Sequence, residues 1–122
     1  MNLTITEIAD AFSRHDFDAT FPYMLDDIEW TLIGGNPIQG KADVVSTCNG
    51  SSQELADATT EFSKFKVITA DDCVVIDSQA EYIDREGESS HVASCDIYDF
   101  VDGNLAAITS YTLETGPKTP GP

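Results

Sequence analysis

The runs FSKFKVIT (residues 62–69), CVVIDSQAEYIDR (73–85), SHVASCDIYDFV (90–101) and LAAITSYTL (105–113) decide the fold. Their Val, Ile, Tyr, Phe and Thr content and their alternation are those of β-strands. Asp71-Asp72, Arg85-Glu86-Gly87-Glu88 and Asp102-Gly103-Asn104 separate the runs. In the last two, glycine accepts the left-handed backbone that a tight hairpin demands. Four strands in a row joined by such turns make an antiparallel meander.

Upstream the period becomes helical. Thr4-Ile5-Thr6-Glu7 has the form of a capping box, and Ile5, Ile8, Ala9 and Phe12 then recur at helical spacing, so a first helix runs to about His15. Asp16 or Asp18 caps a short second helix through Phe21, Tyr23 and Met24, with Pro22 tolerable only in its first turn. Ile28 to Ile33 reads as a strand closed by Gly34-Gly35-Asn36-Pro37. From Lys41 to Ala56, Val44, Val45, Cys48 and Leu55 form a helical stripe that Asn49-Gly50-Ser51-Ser52 weakens or kinks. Helices first and strands afterwards give an α+β fold: a cone-shaped, curved antiparallel sheet with about three N-terminal helices on its concave side. The interior of such a cone is a natural ligand site. Residues 1–114 form one domain, and 115–122 (TGPKTPGP) are expected to be a flexible tail with nothing to bury.

Composition narrows the function classes. The 122 residues suffice for one core, and 22 acidic side chains against 6 basic ones give a formal charge of -16. That field repels phosphate backbones and anionic lipid, so neither nucleic acid nor a membrane is expected as a partner. No apolar run approaches the length of a membrane span, and the first residues lack the pattern of a secretory leader, so the expected location is cytoplasmic. Cys48, Cys73 and Cys95 are far apart and read as reduced thiols. No His, Asp and Glu spacing argues for a metal, no glycine loop for a phosphate, and no cofactor is implied.

The segments Asp26-Asp27-Ile28-Glu29-Trp30, Pro37-Ile38-Gln39-Gly40-Lys41 and Asp96-Ile97-Tyr98-Asp99-Phe100-Val101-Asp102-Gly103-Asn104-Leu105, with Ile108 and Tyr111, resemble the SnoaL-like and ketosteroid-isomerase-like branch of the nuclear transport factor two superfamily. The resemblance spans about residues 3 to 114. It implies the conical fold, and it matches Asp96 to the clamp aspartate of the isomerases. Their catalytic base falls near Thr31 or Leu32 and their tyrosine near Ile8, side chains that cannot do that chemistry. An aspartate of the epoxide-hydrolase branch falls at about Ser110. Neither 3-oxosteroid isomerisation nor epoxide hydrolysis is therefore expected.

Period-two alternation puts Asp96 and Tyr98 on one face of their strand. A hairpin centred on Gly87 pairs residues near 81 with residues near 94, which makes Glu81 a neighbour of Asp96; a slip of one residue reverses the face. Two carboxyl groups close together in an apolar cone do not both ionise, so Asp96 is expected to carry a proton with Glu81 as its partner or base. The competing reading leaves Glu81 in solvent and Asp96 as a simple hydrogen-bond acceptor. Phe12, Tyr23, Trp30, Tyr98, Ile108 and Ser110, the last sharing its strand face with Thr112, are the candidate ligand contacts, against the alternative of ordinary core or strand residues. His15 reads as a helix-end cap, with a base as the alternative, and His91 as exposed. The expectation is a pocket for a small, largely apolar molecule, serving a cofactor-independent isomerase, cyclase or hydratase or, alternatively, a non-catalytic binding or dimerisation module. A homodimer through the outer sheet face is expected as well.

Overall fold

The computed structural model of the protein describes residues 2–115. Along the chain come α1 (Ile5–Ser13), a 3₁₀-helix (Asp18–Tyr23), β1 (Met24–Leu32), β2 (Ile38–Gln39), α2 (Lys41–Leu55), β3 (Thr59–Thr69), β4 (Cys73–Ile83), β5 (Ser89–Val101) and β6 (Asn104–Glu114). All strands share one curved sheet ordered β2-β1-β6-β5-β4-β3. The fold is α+β, as the strand runs and their turns require. Apart from Thr115, whose N–H donates to the carbonyl of His91 over 2.8 Å, the expected tail lies outside the described residues.

Helix α1 begins with the capping box read from the sequence: Thr4 Oγ1 accepts from the Glu7 N–H and a Glu7 carboxylate oxygen accepts from the Thr4 N–H. It stops in a Schellman turn, with the Asp16 N–H donating to Ala11 and the His15 N–H to Phe12. His15 takes the left-handed position there, φ 69°, where glycine is usual. The second helix is a 3₁₀ segment rather than an α-helix. Pro22 supplies no N–H for an α-helical ladder, and neither Asp16 nor Asp18 caps it; its cap residue, Phe17, makes no side-chain cap bond. Helix α2 runs unbroken through the Asn49-Gly50-Ser51-Ser52 segment.

The four runs from residue 59 onward form the expected meander, antiparallel at each step. The Asp102-Gly103 hairpin has both central residues at positive φ, 51° and 81°. Strand β1 departs from the antiparallel expectation by pairing in parallel with β6, Trp30 beside Ile108 and Leu32 beside Ser110. Five elements, β2, α2, β3, β4 and β5, lie between these neighbours, and a crossover of that length returns the chain in either direction. The short β2, unread in the sequence, adds an edge at Glu29 and Trp30. The even-numbered residues of β4 and β5 (Val74, Ile76, Tyr98, Phe100) meet Ile8, Ala9 and Phe12 of α1 and Val44 and Cys48 of α2 in the core.

Candidate functional site

Between the concave sheet face, α1 and the second half of α2 lies a cavity of about 360 Å³. Its apolar walls include Phe12, Phe17, Trp30, Leu32, Leu55 and Phe62, and Asp96 sits among the hydroxyls of Ser13, Ser78, Ser94, Ser110 and Thr112 on its floor. The register makes this floor. Ser78, Ser94 and Thr112 stand side by side across β4, β5 and β6, and Asp96 and Ser110 are cross-strand partners in the adjacent row.

The end of α1 supplies the first group on Asp96: the Ser13 hydroxyl donates to Asp96 Oδ2 over 3.0 Å. Ser13 Oγ also lies 2.6 Å from the Tyr98 hydroxyl. A serine has one proton to give, so with Asp96 ionised Tyr98 donates to Ser13 and Ser13 to the carboxylate. On the other side the Trp30 indole N–H donates to Ser110 Oγ over 3.0 Å, which leaves the Ser110 proton for its strand neighbour Asp96. Burial raises the Asp96 carboxyl above the ordinary aspartate value, and the hydroxyls of Ser110, Ser13 and Tyr98 pull it part of the way back. Burial first, then the charge of Asp96, holds Tyr98 well above the usual phenol range.

The expected partner of Asp96 is not there. Glu81 pairs across the strands with His91 and Asp96 with Ile76, so residues of like parity face each other and Glu81 projects from the convex face, away from Asp96. Its carboxylate lies 3.4 Å from His91 Nε2, and His91 is half-buried against it rather than free in solvent. The hairpin at residues 84–88, tied by Asp84 Oδ1 accepting from the N–H groups of Glu86 and Glu88, sets this register.

Of the other candidates, Phe12, Trp30 and Ser110 line the cavity. Tyr98 stands behind Ser13, fully buried, and Ile108 is fully buried core. Tyr23 does not reach the cavity: its hydroxyl accepts from the Leu3 N–H over 3.0 Å and fastens the N-terminal segment. Several residues outside the sequence candidates do reach it, Ser13, His15 and Tyr82 among them. His15 and Tyr82 both line the wall, with Nε2 of one 2.9 Å from the hydroxyl of the other. His15 is thus not a simple helix cap; its positive φ carries the ring off the helix axis. Tyr82 lies next to Glu81 on β4 and so faces the opposite side of the sheet, and this alternation is the one sequence signal for it.

The three thiols are free, and burial pushes that of Cys48 up to about 12, far from a thiolate. Among the described residues no cluster of His, Cys, Asp and Glu is arranged to hold a metal ion. No described helix is long and apolar enough to cross a membrane.

Comparison with known proteins agrees with this architecture. The family model for the SnoaL-like domain matches residues 5–108. A protein of unknown function from Cytophaga hutchinsonii, of the nuclear transport factor two-like kind, is 38% identical, superposes with a TM-score of 0.77, and the match covers 87% of this chain and 93% of that one. A candidate polyketide cyclase from Xanthomonas campestris pv. campestris is similar in fold at 19% identity and TM-score 0.67, covering 85% and 83% of the two chains. An LEH-like epoxide hydrolase of M. tuberculosis is similar in fold at 17% identity and TM-score 0.67, covering 89% and 82%. No curated protein matches the chain. A conical sheet roofed by α1 and α2, matched over most of its length, makes this chain a member of the SnoaL-like domain family.

Proposed function

We propose that the protein binds a small, largely apolar molecule in its conical cavity and moves a proton on it with Asp96, as an isomerase, cyclase or hydratase that needs no cofactor. The supporting observation is the setting of Asp96: a carboxyl drawn from water into a cavity wall, raised above its ordinary value, yet kept in place by hydroxyl donors. A carboxylate with an elevated pKa is a stronger base at a given ionised fraction, which is the tuning general acid–base catalysis calls for. The reaction class is removal and return of a proton at carbon beside a carbonyl group.

Exchange of solvent deuterium into the methyl group of 2-acetylnaphthalene, followed by proton NMR in D2O, tests this reading. The protein accelerates the exchange and Asp96→Asn abolishes the acceleration; no acceleration by the unaltered protein, or equal acceleration by the variant, rejects it.

A binding or dimerisation module is the second reading. It is favoured by the convex face, where Ile33, Tyr111 and Leu113 stand exposed beside Ala93 and Cys95. Contiguous apolar surface on one side of a sheet is covered in most proteins, and a second copy of this chain fits it by symmetry.

A further inference from the structure

The left-handed His15 has a consequence for the site. Its backbone conformation costs a non-glycine residue about 1 kcal/mol, and what it obtains is the ring position: against Phe17, Phe62 and Tyr82, with Nε2 2.9 Å from the Tyr82 hydroxyl. The groups facing it are the phenol of Tyr82 from β4 and the aromatic rings of Phe17 and Phe62. Its neighbour Arg14 pairs with Asp10 and lies over the Phe65 ring and, farther off, the Phe62 ring. Among the described residues no carboxylate pairs with His15. Burial lowers the pKa of the imidazole, so it is neutral at pH 7. Burial and then the charge of Asp96 raise the Tyr82 phenol, so it keeps its proton.

A neutral imidazole has one N–H. With that proton on Nε2 it donates to the Tyr82 oxygen and leaves the phenol O–H free for the cavity. We propose that Tyr82, oriented by His15, is the donor that receives a ligand oxygen, and that the cavity therefore takes a neutral carbonyl compound, its apolar body against Phe12 and Trp30 and the carbon next to its carbonyl at Asp96. This rests on the proton-transfer reading of Asp96. In the step, the Asp96 carboxylate takes the proton from carbon. The C–H electron pair becomes the new C=C bond, and the C=O π pair moves onto oxygen, where the Tyr82 O–H hydrogen-bonds it without giving up its proton. Asp96 then returns its proton to carbon. The step adds no charge to the cavity, whose rim also carries Glu54: the negative charge passes from Asp96 to the ligand oxygen, where the Tyr82 dipole receives it. Tyr82 is a catalytic residue in this scheme and His15 a positioning residue.

Two measurements test it. Nitrogen-15 NMR of histidine-labelled protein reports the His15 tautomer: the proton on Nε2 is expected, and the proton on Nδ1 overturns the orientation. Equilibrium dialysis compares 2-acetylnaphthalene with 2-ethylnaphthalene, which lacks only the oxygen. Loss of one hydrogen bond predicts that Tyr82→Phe and His15→Gly each weaken the ketone about tenfold. The hydrocarbon's affinity stays unchanged, and His15→Gln, which keeps a donor, restores part of the loss. Equal weakening of both probes means the two residues only shape the cavity and overturns the proposal; so does an unchanged ketone affinity. If neither probe binds the unaltered protein, the cavity reading falls and this one with it. Survival of deuterium exchange in Asp96→Asn would refute the base alone, since the dialysis result does not depend on Asp96.

Discussion

Ser13, the last residue of α1, donates its hydroxyl to Asp96 on β5 over 3.0 Å, joining positions 83 apart in the sequence. The bond holds a carboxylate that burial otherwise disfavours, and this makes Asp96 a functional group maintained at the expense of stability. Its folded pKa lies above the unfolded value of 3.8, so the folded protein binds the extra proton between the two values. The stability contribution of that proton is complete below pH 3.8 and is lost as pH rises through the folded pKa. Asp96→Asn should therefore raise the melting temperature by a few degrees at pH 7, with the gain shrinking toward pH 4. Calorimetry of both proteins over that range checks it; a variant less stable at pH 7 than at pH 4, relative to wild type, contradicts the sign.

Ser110 serves two partners, as acceptor for the Trp30 indole and donor toward Asp96. Ser110→Ala leaves the indole N–H buried without a partner, a cost of about 1–3 kcal/mol. It also removes a group that lowers the carboxyl, so Asp96 titrates higher. Chemical denaturation gives the first number, and carbon-13 NMR of the Asp96 carboxyl gives the second.

At His15 the backbone and the side chain have opposite requirements. Glycine relieves the positive φ of 69° while alanine keeps it, so His15→Gly should be about 1 kcal/mol more stable than His15→Ala, although both lose the bond to Tyr82. The imidazole itself adds a pH dependence: its folded pKa lies below 6.5, so its contribution to stability is present above pH 6.5 and is lost as acid drives the pH down through the folded value. Denaturant midpoints of the two variants and of wild type between pH 5 and 8 test both statements.

Phe12 joins the cavity to the core, its ring edge-on to Phe17, Trp30 and Tyr98 at 4.9, 5.1 and 5.8 Å between centroids. Phe12→Ala should cost about 3–5 kcal/mol by opening a void against three aromatic rings. Cooperative unfolding followed by Trp30 fluorescence measures it.

The convex face carries its own prediction. If a second copy covers it, Tyr111→Glu and Leu113→Lys, both on exposed positions, convert the dimer to a monomer without lowering cavity binding of 2-acetylnaphthalene. Sedimentation velocity at micromolar concentration decides; a wild type that sediments at the chain mass rules the dimer out.

What was legible beforehand follows from the range of the interactions involved. The capping box at Thr4 and Glu7, the turns at Gly87 and Asp102-Gly103, and the strand runs are local, and their residue types constrain φ and ψ directly. Alternation along β5 put Asp96 and Tyr98 on one face, and both do point inward from it. The register of the hairpin was another matter. Whether Glu81 meets His91 or a residue nearer 94 depends on how many residues the turn consumes, a shift that moves every side chain to the other side of the sheet. The parallel pairing of β1 with β6 depends likewise on where a long excursion returns.

The sequence by itself determined α1, α2, the long strands and the α+β class, because those are set by neighbours a few residues away. Only the tertiary structure decided that Ser13, Tyr82 and His15, rather than Glu81, share the cavity with Asp96. Contacts across 83 or 67 residues are fixed by register and by the angle at which α1 ends, and a linear chain encodes neither until its apolar faces have closed on one another.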